Sequence, residues 1–308
     1  MPASGDISQP LVSILMPTYN QQQFVESSIR SCLNQSYENI EIVISDDAST
    51  DGTWNIVADF AKAHPGKIIA TRQSRNLGVS RNCNFLLPQC KGKYLALFAG
   101  DDLMYPNKIA KQVQTLELCP DVAICAHDVH LLDDVGEVSS STWANRTLQY
   151  DGTVSVLFQH LCFTCGCSLL VRRNCVPETG YEEILVASDW LLFAEILIKN
   201  NHRLVCLADV LGAYRRRPGQ LTSKCDSSAL ANYLDHAFAC GLLLAKYPEF
   251  RHDIAIGLKN WKSAFTRELE ANAIWNSELT TAQLASPHWL FRRLLTTSRD
   301  RIRKLLGV

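Results

Sequence analysis

The 308-residue sequence lacks any uninterrupted apolar run near the roughly 18 residues that a membrane-spanning helix requires. It also has little net charge, because 30 Lys and Arg residues face 31 Asp and Glu residues. No overall electrostatic attraction to nucleic acid or to a membrane is therefore expected. The opening MPASGDISQP contains neither a basic start nor the apolar core of a signal peptide. These absences predict a cytoplasmic protein with no nucleic-acid partner.

The twelve cysteines lack the spacing of a zinc site. The one cluster, CFTCGC, holds Cys162, Cys165 and Cys167, but no second CxxC pair and no His at zinc spacing accompany it. Most other cysteines stand in apolar segments such as AICAH and LVCLA. They are interpreted as reduced, buried, small apolar residues. The sequence assigns no role to the clustered cysteines.

The first half of the chain alternates apolar, β-rich runs with segments of helical periodicity. Strands are predicted at residues 11–16, 40–45, 67–72, 93–98, 121–127 and 129–132, and helices at residues 24–33, 53–63, 80–87 and 106–118. This alternation predicts an α/β fold with a mostly parallel sheet and helices on both faces. Beyond about residue 151 the pattern is less regular, with helices at 154–160 and 189–199 and strands at 168–171 and 202–206. The last 80 or so residues are predicted to be almost wholly helical.

Polar clusters follow three of the predicted strands, and ligands bind at the carboxyl ends of strands in such sheets. The clusters are PTYN, DDASTDGT and AGDD. In AGDD, Asp101 and Asp102 stand side by side directly after an apolar run. Adjacent carboxylates repel each other and are costly to desolvate unless a positive charge lies near them. A divalent cation is the simplest candidate, although a helix N-cap is an alternative reading of Asp102.

These pieces together resemble the signature of glycosyltransferase family 2. The resemblance runs from LVSILMPTYN through ISDDASTDGT, RNLGVSRNCN and AGDD, and more loosely through SDWLLFAE and YRRRPGQLTS. It implies the GT-A fold, a Rossmann-like sheet, and transfer of a sugar from a nucleotide donor with inversion. Residues 1–223 are then the catalytic domain, with a donor half at about 11–132 and an acceptor half at about 133–223. Residues 224–308 are a helical C-terminal region.

The resemblance implies that the first two polar clusters bind the donor nucleotide. Pro17, Thr18 and Tyr19 would cradle the uracil, with the Tyr19 ring stacked near the base. Asp46 and Asp47 end the second strand, and Asp47 is favoured as the acceptor of a uracil N–H. Taken alone, PTYN is better explained as a plain strand-ending turn, and DDAST is also a good helix N-cap sequence.

The next two pieces are implied to bind the diphosphate and a metal. Asn76 and Arg81 belong to the RNLGVSRNCN piece, where Arg81 would neutralise the diphosphate or contact the base. A solvated arginine on a helix is equally open. Asp102 matches the direct ligand of Mg²⁺ or Mn²⁺, and Asp101 would meet the ribose or the donor sugar. Leu103 stands where the family often has a third polar ligand.

The last two pieces carry the base and a set of arginines. Inverting transfer needs a general base for the acceptor hydroxyl, and Asp189 in SDWLLFAE matches it, although Ser188 replaces the family's Glu. A helix cap is the alternative role for Asp189. In YRRRPGQLTS, Arg217 stands where the family often has His. We expect Arg215, Arg216 or Arg217 to clamp the diphosphate in bidentate fashion.

Residues 286–308 carry six basic side chains against one Asp, with apolar residues at roughly helical spacing. This basic amphipathic helix would lie on an anionic membrane surface, or pack on its own domain or a partner subunit; both remain open. The expected partners are a UDP-sugar carrying a hexosyl or N-acetylhexosaminyl group and a lipid-linked oligosaccharide of a bacterial surface polysaccharide, such as O-antigen or capsule. The enzyme would then work at the inner face of the cell membrane.

Three other classes of protein compete with this interpretation. A Rossmann oxidoreductase needs GxGxxG after the first strand, where PTYNQQQ stands instead. A sugar nucleotidyltransferase needs a Gly-rich, basic loop at the same place. A degenerate homologue that binds nucleotide sugar without turnover stays open, although intact Asp102 and Asp189 argue against it. The donor sugar, the linkage and the oligomeric state are not indicated.

Overall fold

The computed structural model describes residues 9–133, 135–142, 151–160, 165–185, 188–216 and 229–271. Its strands are β1 (Val12–Thr18), β2 (Ile40–Asp46), β3 (Ile68–Arg72), β4 (Tyr94–Leu97), β5 (Leu103–Met104), β6 (Val122–Leu132), β7 (Val138–Thr142), β8 (Leu170–Arg172) and β9 (Arg203–Arg215). Its helices are α1 (Val25–Leu33), α2 (Thr53–Ala63), α3 (Val79–Leu86), α4 (Lys108–Leu118), α5 (Val154–His160), α6 (Ser188–Ile198), α7 (Ala229–Lys246) and α8 (Arg251–Ala271). Cys162, Arg217 and the basic tail at 286–308 lie outside the described residues.

The described strands form one sheet in the order β3-β2-β1-β4-β8-β6-β9-β5, with β7 paired to β6. Strands β1 to β4 pair in parallel, as do β6 and β9. Strand β8 runs antiparallel to both of its neighbours and joins the two parallel groups. The predicted α/β architecture is confirmed. Strand β6 therefore runs in the same direction as β4, and the described sheet is mostly parallel, with β5, β7 and β8 antiparallel to the strands that they pair with.

The central strands are continuous apolar runs in the sequence because both of their faces are buried. In β1, Ile14 and Met16 belong to one buried cluster and Leu15 belongs to the other, because successive side chains point to opposite faces. Helices cover each face. Helix α1 turns Val25 and Ile29 toward the first cluster, at the spacing of a single helix face.

Three local predictions differ from the structure, all around β6 and β9. Residues 121–127 and 129–132 were predicted as separate strands but form the single strand β6, whose register with β9 shifts at Asp128. The Asp128 carboxylate accepts the N–H of Val129 at 2.8 Å, so this polar residue is accommodated inside the strand. Strand β9 extends to Arg215 although Asp209 and Gly212 are typical of loops, because it is paired with β6 along most of its length.

The chain divides into a compact unit of residues 1–261 and a second unit of residues 262–308, of which residues 262–271, the end of α8, are described. In the first unit, Ala239, Leu243 and Ile254 of α7 and α8 are buried in the same cluster as Trp190 of α6. The predicted helical character of the region after residue 224 is confirmed for its described part, and the domain division at residue 223 stays a prediction. No helix within the described residues has the length and hydropathy needed to cross a membrane.

A buried carboxylate joins the starts of β1 and β2 to the loop that precedes β4. Glu41 of β2 accepts the Ser13 hydroxyl at 2.5 Å and the Lys91 N–H at 2.6 Å, and Ser13 Oγ in turn accepts the Gly92 N–H at 2.7 Å. We expect Glu41→Ala to lower the free energy of unfolding by about 2–3 kcal/mol, because buried donors lose their acceptor. Urea unfolding measures this, with the exposed Glu38→Ala as control; equal midpoints in the two variants would contradict it.

Candidate functional site

Two loops meet at the carboxyl ends of β1 and β2 and are tied together by main-chain contacts. The Asn20 N–H donates to Ser49 Oγ at 2.9 Å, and the Thr50 N–H donates to Asn20 Oδ1 at 2.9 Å. Asn20 adopts a left-handed conformation with φ of 50°, which Asn tolerates better than most residues. These hydrogen bonds hold the loop after β1 and the loop after β2 together as one unit.

The PTYN residues line this unit. Thr18 is buried and Pro17 is half-buried, whereas the Tyr19 side chain is 44% exposed. An accessible aromatic ring next to buried residues is suited to stacking on a flat base. The arrangement is compatible with the nucleotide role that the sequence predicts for these three residues.

The two aspartates at the end of β2 have different surroundings. The fully buried Asp46 carboxylate accepts the N–H and the hydroxyl of Ser49 and pairs with Arg72 Nε at 3.4 Å. The contacts with Ser49 lie within the loop that precedes α2 and are not those of the helix N-cap alternative, since α2 begins at Thr53 after Gly52. The Asp47 carboxylate accepts the N–H of Leu77 at 2.7 Å and the N–H of Gly78 at 2.9 Å. A carboxylate offers about four lone-pair positions, so Asp47 retains capacity for a ligand N–H.

Helix α3 lies between the loop that Asp47 contacts and the start of α6. Gly78, with φ of 85°, precedes the helix in a conformation that favours glycine, and Asn76 Oδ1 accepts its N–H at 3.1 Å. On the helix, Ser80 Oγ lies 2.8 Å from Ser188 Oγ. Arg81 donates to Glu183 at 2.7 Å in an exposed ion pair. Arg81 therefore has a protein partner, and its predicted contact with the diphosphate or the base of the sugar donor stays a prediction.

The acidic pair is held between buried neighbours. Asp102 is 3% exposed, and its Oδ1 accepts the main-chain N–H of Arg215 at 2.9 Å. The Cys167 thiol lies beside the same carboxylate, and Cys167 Sγ lies 3.4 Å from Cys165 Sγ. Burial, followed by the charge of Asp101, raises the pKa of Asp102 well above its usual range. An ionised pair is therefore costly here without an added cation.

The donor set fits a hard divalent cation that is shared with phosphate. Carboxylate oxygens are suitable ligands, and Mg²⁺ is typically held by one or two carboxylates together with substrate phosphates and water. In the part of the chain that the structure describes, no group of three or more His, Cys, Asp or Glu residues is arranged to hold a metal. A cation at Asp101 and Asp102 would depend on diphosphate oxygens for part of its coordination.

Asp189 lies in the first turn of α6. Its carboxylate accepts the Trp190 N–H at 2.9 Å, and its side chain retains access to solvent although surrounding protein raises the pKa of the carboxyl by desolvation. Trp190 is fully buried and packs edge-on against Phe158, with ring centroids 5.5 Å apart, and against Trp261, at 6.0 Å. The helix start is thus fixed, and the raised pKa makes Asp189 a stronger base than an ordinary aspartate.

The three arginines that were candidates for binding the diphosphate differ in their surroundings. Arg215 is buried, and its guanidinium donates to main-chain carbonyls. Arg216 is exposed at the end of β9, and Arg217 lies outside the described residues. The sequence did not indicate Cys167 or Phe24 as neighbours of the acidic turn. No local signal was available, because each meets this turn only through the fold.

Comparison with known proteins gives a consistent result. The family model described as "Glycosyl transferase family 2" matches residues 13–179. The Escherichia coli protein named UDP-Glc:alpha-D-GlcNAc-diphosphoundecaprenol beta-1,3-glucosyltransferase WfaP is 36% identical over 107 residues, which are 35% of this chain and 41% of that protein. An uncharacterized protein of Mycobacterium tuberculosis is 29% identical over 210 residues, which are 67% of this chain and 58% of that longer protein.

Two solved structures resemble the fold. The crystal structure of S. aureus TarS 1–349 with UDP-GlcNAc has a TM-score of 0.68 at 19% identity and covers 91% of this chain and 78% of that chain. The mannosyltransferase PcManGT from Pyrobaculum calidifontis, with GDP-Man and Mn²⁺, has a TM-score of 0.62 at 17% identity, covering 91% and 79% respectively. Both matches extend over nearly the whole chain, and they confirm the predicted fold.

Proposed function

Because the chain belongs to glycosyl transferase family 2, we propose that it transfers a sugar from a nucleotide-sugar donor to an acceptor hydroxyl. The observation that carries the proposal is the assembly at one end of the sheet. Tyr19 is exposed after β1, Asp47 is oriented after β2, and the Asp101–Asp102 pair follows β4. These three strands are neighbours, and parallel strands present their carboxyl ends at the same edge.

We assign UDP as the nucleotide. Asp47 would accept the uracil N–H while the main-chain N–H groups of Leu77 and Gly78 fix its carboxylate. Tyr19 would stack on the base, with Pro17 and Thr18 beneath it. The name of the E. coli relative specifies a UDP-Glc donor, and the TarS structure contains UDP-GlcNAc; both support this choice.

Asp102 would hold Mg²⁺ or Mn²⁺ together with the donor diphosphate, with Asp101 beside it. Such a cation, when bound, stabilises the charge that develops on the departing UDP. The residues of this chain orient the site: the Arg215 N–H donates to the Asp102 carboxylate from within the protein, and the Cys167 thiol lies beside it. The Mn²⁺ in the PcManGT structure supports the metal proposal.

Asp189 would act as the general base of an inverting displacement. The acceptor hydroxyl oxygen forms a bond to the anomeric carbon as the bond from that carbon to the UDP oxygen breaks. The hydroxyl proton passes to the Asp189 carboxylate. The raised pKa of Asp189 and the exposure of its side chain support this role. Helix α3 links it to the donor side through the Ser80–Ser188 contact.

The acceptor is proposed to be a lipid-linked saccharide of a bacterial surface polysaccharide. The E. coli relative is named for a diphosphoundecaprenol-linked GlcNAc acceptor, which supports the class. The predicted attachment of the tail at 286–308 to the inner face of the membrane remains a proposal, as does the absence of a nucleic-acid partner.

A donor screen tests the function. The purified chain is incubated with Mn²⁺, a GlcNAc-diphospho-lipid acceptor and each of a panel of UDP-hexoses and UDP-N-acetylhexosamines, and the glycosylated lipid is measured by mass spectrometry. We expect one donor to give product with release of one UDP per transfer. The corresponding GDP-sugars are tested in parallel, and transfer from a GDP-sugar alone would overturn the UDP assignment. UDP binding without transfer to any saccharide acceptor would favour the binding-only alternative.

A further inference from the structure

Arg215 is the last residue of β9, and it is only 5% exposed despite its charge. Buried guanidinium groups are stable only when their N–H donors are satisfied. Arg215 Nε donates to the main-chain carbonyl of Asp101 at 2.9 Å, and Nη1 donates to the carbonyl of Asp133 at 2.5 Å. The guanidinium carbon lies 4.3 Å from the centre of the Phe24 ring, within the range of a cation–π interaction.

These contacts join three separate loops. Asp101 belongs to the acidic turn after β4, Asp133 follows β6, and Phe24 ends the loop between β1 and α1 that also contains Tyr19. The main-chain N–H of the same arginine donates to Asp102 Oδ1 at 2.9 Å. Arg215 thus contacts both residues of the acidic pair, one through its side chain and one through its main chain.

Strand β9 fixes the position from which Arg215 acts. On one side β9 pairs with β6, with Arg215 opposite Leu132, and on the other side Ala213 of β9 pairs with Leu103, the residue after the acidic pair. The Arg216 N–H donates to the Leu132 carbonyl at 2.7 Å. The arginine is therefore anchored immediately before and after the point at which it meets the acidic turn.

We propose that Arg215 is a positioning residue that acts through Asp101 and Asp102 and sets their affinity for the divalent cation. This differs from the diphosphate clamp that the sequence predicts for Arg215. A clamp needs guanidinium N–H groups presented to the ligand, whereas two of these are directed at main-chain carbonyls in a buried setting. The clamp prediction is better suited to Arg216 or Arg217. Residues that orient metal ligands typically change metal affinity by about 10–100-fold when they are removed.

The test separates metal binding from nucleotide binding and rests on the proposed function only for the choice of ligands. Wild type, Arg215→Gln and Arg215→Lys are titrated with Mn²⁺ at saturating UDP, and unbound Mn²⁺ is measured by electron paramagnetic resonance. UDP binding in excess chelator is measured separately by ligand-observed NMR. We expect Arg215→Gln to raise the Mn²⁺ dissociation constant about 10–100-fold, with UDP binding in chelator unchanged. Arg215→Lys should show a smaller rise, because its ammonium group can still donate to one of the two carbonyls that the guanidinium holds.

The matched control is Arg203→Gln, at the opposite end of β9. Arg203 forms an exposed ion pair with Asp121, with an N···O distance of 2.9 Å, so the same charge is removed from the same strand without touching the acidic turn. Both binding constants should equal those of wild type. If Arg215→Gln does not fold, Arg215→Lys and Phe24→Leu carry the test, and each should weaken Mn²⁺ binding.

Two results would overturn the inference. Weaker UDP binding in chelator with an unchanged Mn²⁺ constant would make Arg215 a diphosphate ligand. Unchanged values for both constants in folded variants would leave it without a role at the site. Failure of the wild-type protein to bind Mn²⁺ with UDP is a separate outcome, and it would instead contradict the proposed function.

Discussion

Asp189→Asn is expected to lower the rate of sugar transfer by about 10²–10⁴-fold, the range that a positioned general base contributes, while UDP binding with Mn²⁺ is unchanged. The amide preserves the shape of the side chain and can still accept the Trp190 N–H that Asp189 accepts at 2.9 Å. It cannot take the proton from the acceptor hydroxyl. Single-turnover kinetics at saturating donor and acceptor measure the effect directly.

The matched control for this prediction is Asp209→Asn. Asp209 is an exposed residue that pairs with Lys111 on the surface, so its loss removes the same charge without reaching the first turn of α6. Its transfer rate should match wild type. A residual rate in Asp189→Asn within about fivefold of wild type would show that another group takes the proton, since a base contributes at least about 10²-fold.

The pH dependence gives an independent check on Asp189. Only the ionised carboxylate serves as a base, and desolvation by the surrounding protein raises its pKa above the ordinary value of 3.8. Transfer by wild type should therefore increase as the pH rises through this raised pKa, and Asp189→Asn should lack that step. A raised pKa also means that the native state binds this proton more tightly than the unfolded state, so the ionised form destabilises the fold above that pKa. The variant should be no less stable than wild type at neutral pH.

Asp102→Asn is expected to remove the metal-dependent part of UDP binding and to lower the transfer rate by about 10²–10³-fold, corresponding to several kcal/mol of lost stabilisation of the leaving group. The amide can still accept the Arg215 N–H that Asp102 accepts at 2.9 Å, so the turn should keep its conformation. Calorimetric titration of UDP with and without Mn²⁺ measures the binding part.

Asp101→Asn is the informative comparison for Asp102→Asn. Asp101 is less buried and is predicted to meet the ribose or the donor sugar. Its variant should keep Mn²⁺-dependent UDP binding and lose mainly affinity for the complete UDP-sugar. Equal loss of Mn²⁺ dependence in both variants would contradict the assignment of Asp102 as the principal ligand.

The sequence predicted the first half of the fold well because its signals are local. Central parallel strands are buried on both faces, so β1, β2 and β4 stand out as apolar runs, and the helices between them show a single apolar stripe. Strand β9 was predicted too short for the opposite reason. Its last residues are held by pairing with β6 and β5, which their own composition does not reveal.

The site was predicted as a set of residue types, but several of their partners were not. Asp46 and Asp47 are adjacent in sequence, yet one is occupied by Ser49 and Arg72 and the other by the main chain at Leu77 and Gly78. Long-range contacts of this kind depend on the packing of the loops. The clustered thiols give a similar case, because the position of Cys167 beside Asp102 follows only from the arrangement of β8 next to β4.

Nucleotide binding tests the assigned donor site most directly, by calorimetric titration of the wild-type protein with UDP and with ADP, each in Mn²⁺ and again in excess chelator. We expect UDP to bind in Mn²⁺, chelator to weaken this binding strongly, and ADP to bind poorly in both conditions, because adenine has no ring N–H for the Asp47 carboxylate to accept. Equal binding of ADP, or UDP binding that is indifferent to chelator, would contradict the assignment.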